Sequence, residues 1–255
     1  MAGNLSHLLP YVLAPLFGIP SGVYKLHHVV MHHLENNVCP HDVSSTEPYQ
    51  RNNFLHFMVY WARYTFAIWF ELPYYAFKRK RYDLFAHSVA AVGGFLCLTT
   101  YLYSVNPIAT KWVFIYPFFI TSFVLMFGNW SQHIFVDPQN ARSSYSLTYN
   151  CVNTPDNQKS YNDGYHIIHH VNARCHWSEM PQRFLDTIDK HAEADALTFR
   201  GLGFFEIGVL CMVGRIGMGV LADRLMDIKT PRTRDEKIAL LYERLKPIRH
   251  TTKIE

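Results

Sequence analysis

Phe85–Val105 reads FAHSVAAVGGFLCLTTYLYSV, and Ile108–Asn129 reads IATKWVFIYPFFITSFVLMFGN. The first holds no Asp, Glu, Lys or Arg, and the second carries only Lys111, near its start. At a rise of about 1.5 Å per residue, each is long enough to cross a hydrocarbon core of about 30 Å. Asn106-Pro107 between them is a turn signal. The pair predicts a transmembrane helical hairpin, which leaves one side of the membrane and returns to it.

Outward from the hairpin lie two histidine clusters: His27-His28-Val29-Val30-Met31-His32-His33, and His166-Ile167-Ile168-His169-His170 with His176 just beyond. Imidazole is the commonest metal-binding side chain and suits iron, copper and zinc. On a helix, His166, His169 and His170 sit at i, i+3 and i+4 and point from one face. His28 and His32 share a face at i, i+4, with His33 one step round and His27 on another face. Asn129 and His133, again i, i+4, close the end of the second span. Seven histidines and an amide are therefore expected to converge at the mouth of a helical bundle. His27 and His176 are weaker candidates. Glu35, Asp163 and Glu179 are near enough in sequence to orient the rings from behind.

The bland reading takes the remaining histidines. His7, His41, His56, His87, His191 and His250 stand alone and read as ordinary surface or core residues, so His191→Ala is expected to be neutral. No H-E-x-x-H is present, and seven imidazoles are too many for one zinc, which needs three or four ligands. The set suggests two metals.

Residues 54–77 form a candidate helix whose polar positions His56, Tyr60, Arg63, Glu71, Tyr74 and Lys78 fall on one side, opposite Leu55, Phe57, Phe66, Trp69 and Phe70. Such a helix suits the membrane interface. Parity agrees: a third span would put a membrane between the two clusters. The apolar stretch 202–221, with Glu206, Arg215 and several glycines, fits an interfacial, a re-entrant or a short spanning segment, of which interfacial is preferred, and 233–245 reads as a short surface helix. The fold class expected is all-α: a membrane protein with a transmembrane hairpin, interfacial amphipathic helices and a histidine-rich helical cap. The whole of 1–255 is expected to be one domain, with 27–33 and 129–176 as the metal-binding cap, 54–77 as interfacial helix and 85–129 as hairpin.

Composition sets outer limits. The 255 residues are 49% apolar and 15% aromatic, yet mean hydropathy is −0.05, so spans must be mixed with substantial polar parts. The net charge of +4 is mild, and its densest run, Lys78-Arg79-Lys80-Arg81, beside an apolar segment, favours anionic lipid over nucleic acid. Five cysteines without a C-x-x-C pair point to a reduced compartment. No basic stretch followed by a cleavable apolar core opens the chain, so no signal peptide is expected.

On these residues the sequence resembles the membrane fatty-acid desaturase and hydroxylase superfamily, the histidine-box di-iron proteins. The resemblance rests on His28-x-x-x-His32-His33, on His166-x-x-His169-His170, and on the apolar hairpin between them. Asn129-Trp-Ser-Gln-His133 is similar to an Asn-x-x-x-His element of acyl-CoA desaturases, in which the Asn meets one iron through a water. Asn162-Asp163-Gly164-Tyr165-His166 through His176-Trp177 looks like the last box. The resemblance implies a non-haem centre of two Fe with O2 as co-substrate, ligated by His28, His32, His33, His133, His166, His169 and His170. It also implies an acyl-lipid or acyl-thioester substrate, membrane lipid as surroundings, no nucleic acid, and a separate electron donor, cytochrome b5 or ferredoxin. The membrane would be endoplasmic reticulum or plastid, with the metal site on its cytosolic or stromal side. Relatives of this kind carry an earlier H-x(3,4)-H box, whereas His7 stands alone upstream of His27; the resemblance then implies an N-terminally shortened member or an incomplete first metal shell. A di-iron oxygenase on another apolar substrate, and a catalytically silent paralogue, are the competing readings.

Overall fold

The computed structural model describes residues 8–39 and 42–249; His7, His41 and His250, read above as ordinary histidines, lie outside them. The architecture is helical, with one short parallel ribbon. The long helices are α1 (Phe54–Lys78), α2 (Tyr82–Val105) and α3 (Pro107–Gln132). Among the described residues, α2 and α3 are the helices long and apolar enough to cross a membrane. Asn106 supplies the turn between them: its side chain accepts from Ala109 N at 3.0 Å and so caps α3, with Pro107 placed where no amide donor is needed. The segment Lys111–Ile115 of α3 is wound as a π-helix.

The described residues gather into two compact units, 8–35 with 42–44 and 61–126 in the first, and 36–39 with 45–60 and 127–249 in the second. In the first unit the N-terminal turn Ala14–Phe17 ends at Gly18, whose φ of +76° permits a close approach to the Phe118 backbone that a Cβ would block. The next helix, Lys25–His32, is π-helical and continues as an α-helical turn, His33–Glu35. Val23, Leu26 and Met31 bury against Ile68 and Leu72 of α1 and against Val43. The polar positions of α1 form a seam between an exposed apolar stripe (Leu55, Val59, Phe66, Phe70, Phe77) and a buried face. Phe57, expected on the outer face, is fully buried instead, one of a group of rings around Trp130. Arg63 and Glu71 close the seam with a half-buried ion pair at 3.0 Å.

The second unit holds α4 (His166–Val171), α5 (Met180–Asp186), α6 (Ile188–Glu193), α7 (Phe204–Met212), α8 (Arg215–Arg224) and α9 (Arg234–Glu243). Strands β1 (Asn150–Val152) and β2 (Thr198–Arg200) pair in parallel, Asn150 opposite Thr198, around the stacked and edge-on rings of Phe135, Tyr149 and Phe199. The apolar stretch 202–221 is broken: Gly214, at φ 70°, separates α7 from α8, and neither piece is long enough to span a bilayer. Phe205, Val209, Val213, Ile216 and Val220 are exposed along this broken pair. Helix α9 begins with a capping box between Thr233 and Glu236.

His191 is the core member of the ordinary class expected for it. It is fully buried, its ring edge-on to Tyr145 at 5.0 Å and to Phe184 at 4.9 Å, and its Nδ1 donates to the Thr187 carbonyl at 2.8 Å. Burial pushes its pKa down, keeping it neutral. His191→Ala is therefore expected to cost about 2–3 kcal/mol, because it opens a cavity between two aromatic rings. A lowered thermal midpoint in detergent checks this, and an unchanged midpoint would return His191 to the neutral class.

Candidate metal centre

In the first unit the π-helical turn decides which imidazoles meet. A π-helix bonds i to i+5, so residues five apart come into line. His28 and His33, one step out of register on an α-helix, face each other here with Nε2 atoms 3.3 Å apart and ring centroids 4.9 Å apart. The His28 ring also lies 5.6 Å from His32, and Tyr24 stacks on it nearly parallel, at 8° and 5.2 Å. His32 is completely buried, and its Nδ1 donates to Asp42 at 2.6 Å. The backbone N–H and hydroxyl of Ser44 donate to the other Asp42 oxygen, at 2.8 and 2.7 Å. Burial alone would raise the Asp42 carboxyl; the charge and hydrogen bond of His32, with His27 and Ser44, outweigh it and hold the group well below the usual carboxylate range.

Asp42 is the functional residue that sequence reading missed. It lies ten residues beyond His32, in no periodic relation to either cluster, and only the chain reversal after the helix brings it back. Of the expected carboxylates, Glu35 binds Tyr75 Oη at 2.6 Å and pairs with Arg79. His27 is tied at both nitrogens, with Nε2 3.0 Å from Ser44 Oγ and Nδ1 3.5 Å from Tyr64 Oη, and burial lowers its pKa to about 4.

In the second unit, α4 presents its histidines as the i, i+3, i+4 spacing predicted. Asn150 Oδ1 accepts the Ile167 N–H at 3.2 Å and anchors the first turn, while Ile167 and Ile168 are buried. Helix α3 ends at Gln132, directly before His133, and the rings of His166 and His170 lie 5.2 and 4.9 Å from that of His133. His169 is 5.4 Å from His166. His133 Nδ1 donates to the Leu147 carbonyl at 3.1 Å, and its Nε2 is 3.2 Å from Nε2 of His170. His166 Nδ1 faces Asp163 at 3.3 Å, and Gln132 Nε2 donates to the other oxygen of that carboxylate at 2.6 Å. Burial works against the Asp163 charge, but the hydrogen bond and charge of His166, with His169 and Gln132, hold its pKa below the ordinary range. Asp163 thus contacts both His166 and Gln132. Asn129 Nδ2 donates to Tyr60 Oη at 2.7 Å. His176 is exposed and bonds Ser178, and Glu179 is an exposed partner of Arg183 at 3.9 Å.

These donors fit a metal. His166 Nε2 is buried without a hydrogen-bond partner among the described residues, which leaves its lone pair open to an ion. Two imidazole nitrogens each about 2.1 Å from one ion and at right angles lie about 3 Å apart. That is close to the Nε2 separations of 3.3 Å for His28–His33 and 3.2 Å for His133–His170. Leu147 O, Asp42 and Asp163 hold the Nδ1 protons of three rings, which makes Nε2 the lone-pair nitrogen of each.

Asp42→Asn is expected to weaken metal binding about ten-fold, since it removes the charge that fixes the His32 ring. Titration of the purified chain against a coloured chelator reads this directly, and an affinity equal to the parent would take Asp42 out of the site.

Comparison with known proteins follows this geometry. No curated protein and no solved structure matched the chain. The family profile described as "Fatty acid desaturase" matches residues 3–198, well over half of the sequence and both histidine clusters. The chain belongs to the fatty acid desaturase family.

Proposed function

We propose that this protein is an O2-dependent, non-haem di-iron oxidoreductase that introduces a double bond, or a hydroxyl, into the acyl chain of a fatty acid or lipid. The ligands in this reading are His28, His32, His33, His133, His166, His169 and His170, with Asn129 acting through a water; His27 and His176 stand outside the set. Two irons there would supply the O2 activation and hydrogen abstraction that no side chain can perform. Desaturation balances as the loss of two hydrogens from adjacent methylenes, with O2 and two further electrons and protons leaving as two waters. The electrons come from a separate carrier, cytochrome b5 or ferredoxin. The reading takes 1–255 as one working domain at the cytosolic or stromal face of endoplasmic reticulum or plastid membrane, with α1 in the interface.

The observation that carries it is the triple arrangement at His133, His166 and His170: buried rings, two with Nδ1 held by an acceptor and one with an unpartnered Nε2. The first unit adds an apolar cleft lined by Ile19, Val23, Tyr24, Tyr64, Trp69 and Phe118 among others. Tyr24 stacks on His28 and Tyr64 reaches His27, so the wall of the cleft is shared with the histidine cluster. An alkyl chain in that cleft would lie against apolar rings that exclude water from the reacting carbons.

The test is iron analysis of the purified chain together with lipid profiling of a host that expresses it. About two irons per chain and a new double bond or hydroxyl are expected. His169→Ala should abolish turnover and leave membrane insertion intact. One iron or none would instead favour the silent-scaffold reading, and a product on a sterol, carotenoid or alkane would reassign the substrate.

A further inference from the structure

Arg51 is completely buried, and the hydrogen bonds of its guanidinium to the described residues run to main-chain carbonyls. Its guanidinium meets five main-chain carbonyls from three stretches of chain. Nε donates to Ile134 O at 2.8 Å, Nη1 to Thr46 O and Glu47 O at 3.4 and 3.3 Å, and Nη2 to Arg244 O and Lys246 O, both at 2.8 Å. An arginine has five donors, and all five have an acceptor here. The main chain of Arg51 adds two more ties: its N–H donates to Leu245 O at 3.0 Å, and its carbonyl accepts from Trp130 Nε1 at 3.2 Å.

These ties converge on one ligand-bearing segment. Ile134 directly follows His133, Trp130 lies one turn before it, and Thr46 Oγ1 donates to the carbonyl of His133 itself at 2.7 Å. The C-terminal turn is held on the same frame, with Val136 N donating to Arg244 O at 3.1 Å and Ile248 N to Glu47 O at 2.7 Å. Residues 244–248 lie outside the 3–198 region that matches the family. Placing a cation away from water is costly, the Glu47 charge offsets that cost only in part, and a smaller apolar side chain would fill the space at less expense. What a planar fork of donors provides, and a lysine does not, is fixed relative position for several backbone stretches at once.

We propose that Arg51 is a positioning residue for His133: it clamps the main chain carrying that imidazole to residues 46–47 and to the C-terminal turn 244–246, making that turn part of the metal centre's support. The proposal rests on the di-iron reading above. Its consequence is geometric, because the His133 ring is anchored to Leu147 O, and a shift of its backbone by a fraction of an ångström re-aims Nε2.

The experiment titrates cobalt(II) into the metal-free full chain and into Arg51→Lys, Thr46→Val, Thr46→Ser and His191→Ala. Visible absorption then reports the ligand geometry directly. Arg51→Lys is expected to bind cobalt about ten-fold more weakly, with a shifted absorption band. Thr46→Val should lose roughly three-fold, and Thr46→Ser, which keeps the hydroxyl, should recover it. These two variants carry the test if Arg51→Lys fails to fold. His191→Ala, buried in the same unit and remote from His133 in its contacts, should lower stability and leave the band unchanged. Parent-like bands in Arg51→Lys and Thr46→Val would overturn the proposal, as would an equal disturbance in His191→Ala. A parent chain that binds no cobalt would sink the di-iron reading first, and this one with it.

Discussion

A neutral imidazole is fixed in tautomer and orientation for a metal when the opposite nitrogen keeps its proton against a held acceptor. Everything proposed for this chain depends on that constraint. Three acceptors meet it, and each comes from a different kind of structure: a carboxylate returned by a chain reversal (Asp42), a main-chain carbonyl (Leu147) and a carboxylate pinned by a glutamine at the end of a spanning helix (Asp163 with Gln132). The two weaker candidates bond hydroxyls instead. His27 divides its nitrogens between a serine and a tyrosine, and His176 bonds a serine in the open.

The constraint also explains why the second unit is so polar inside. Ser45, Thr46, Arg51, Thr148, Asn150 and Thr198 are buried there, among rings such as Trp130 and Tyr149 that would fill a core unaided. Each hydroxyl that has a partner fixes a backbone carbonyl: Thr148 that of Gln132, Thr46 that of His133, Tyr149 that of Ser131. Three consecutive carbonyls at the end of α3, Ser131 to His133, are therefore held from outside the helix. Those are carbonyls that a helix terminus leaves without internal partners. The same bonds that satisfy them set the direction in which His133 leaves the helix.

What the sequence revealed, and what it hid, follows from the range of the interactions involved. The hairpin was legible because bilayer thickness translates directly into residue number, and α4 because its i, i+3, i+4 spacing needs no tertiary information. The first cluster was only half legible. Its histidines were evident, but an α-helical wheel separates His28 from His33, and nothing local announces the wider π turn that joins them. Asp42 and Arg51 were invisible for a different reason. Their partners lie from two to nearly two hundred residues away, several are backbone atoms, and a lone Asp or Arg in a loop carries no periodicity. For His191 the sequence leaves surface and core equally open, because a ring packed between two aromatic rings is isolated only along the chain.

The break at Gly214 completes the physical account of how apolar sequence is divided between membrane and cap. Residues 202–221 have the apolar content of a short span, yet Leu210 O leaves no room for a Cβ at position 217, so α8 folds back against α7. Gly208 makes the matching close approach on the other side, to Ser131 at the end of α3. A segment that must lie that near the ligand-bearing turn cannot also run through the bilayer. The glycines that looked like weaknesses in a span are the positions at which two short helices pack on each other and on the residues next to His133.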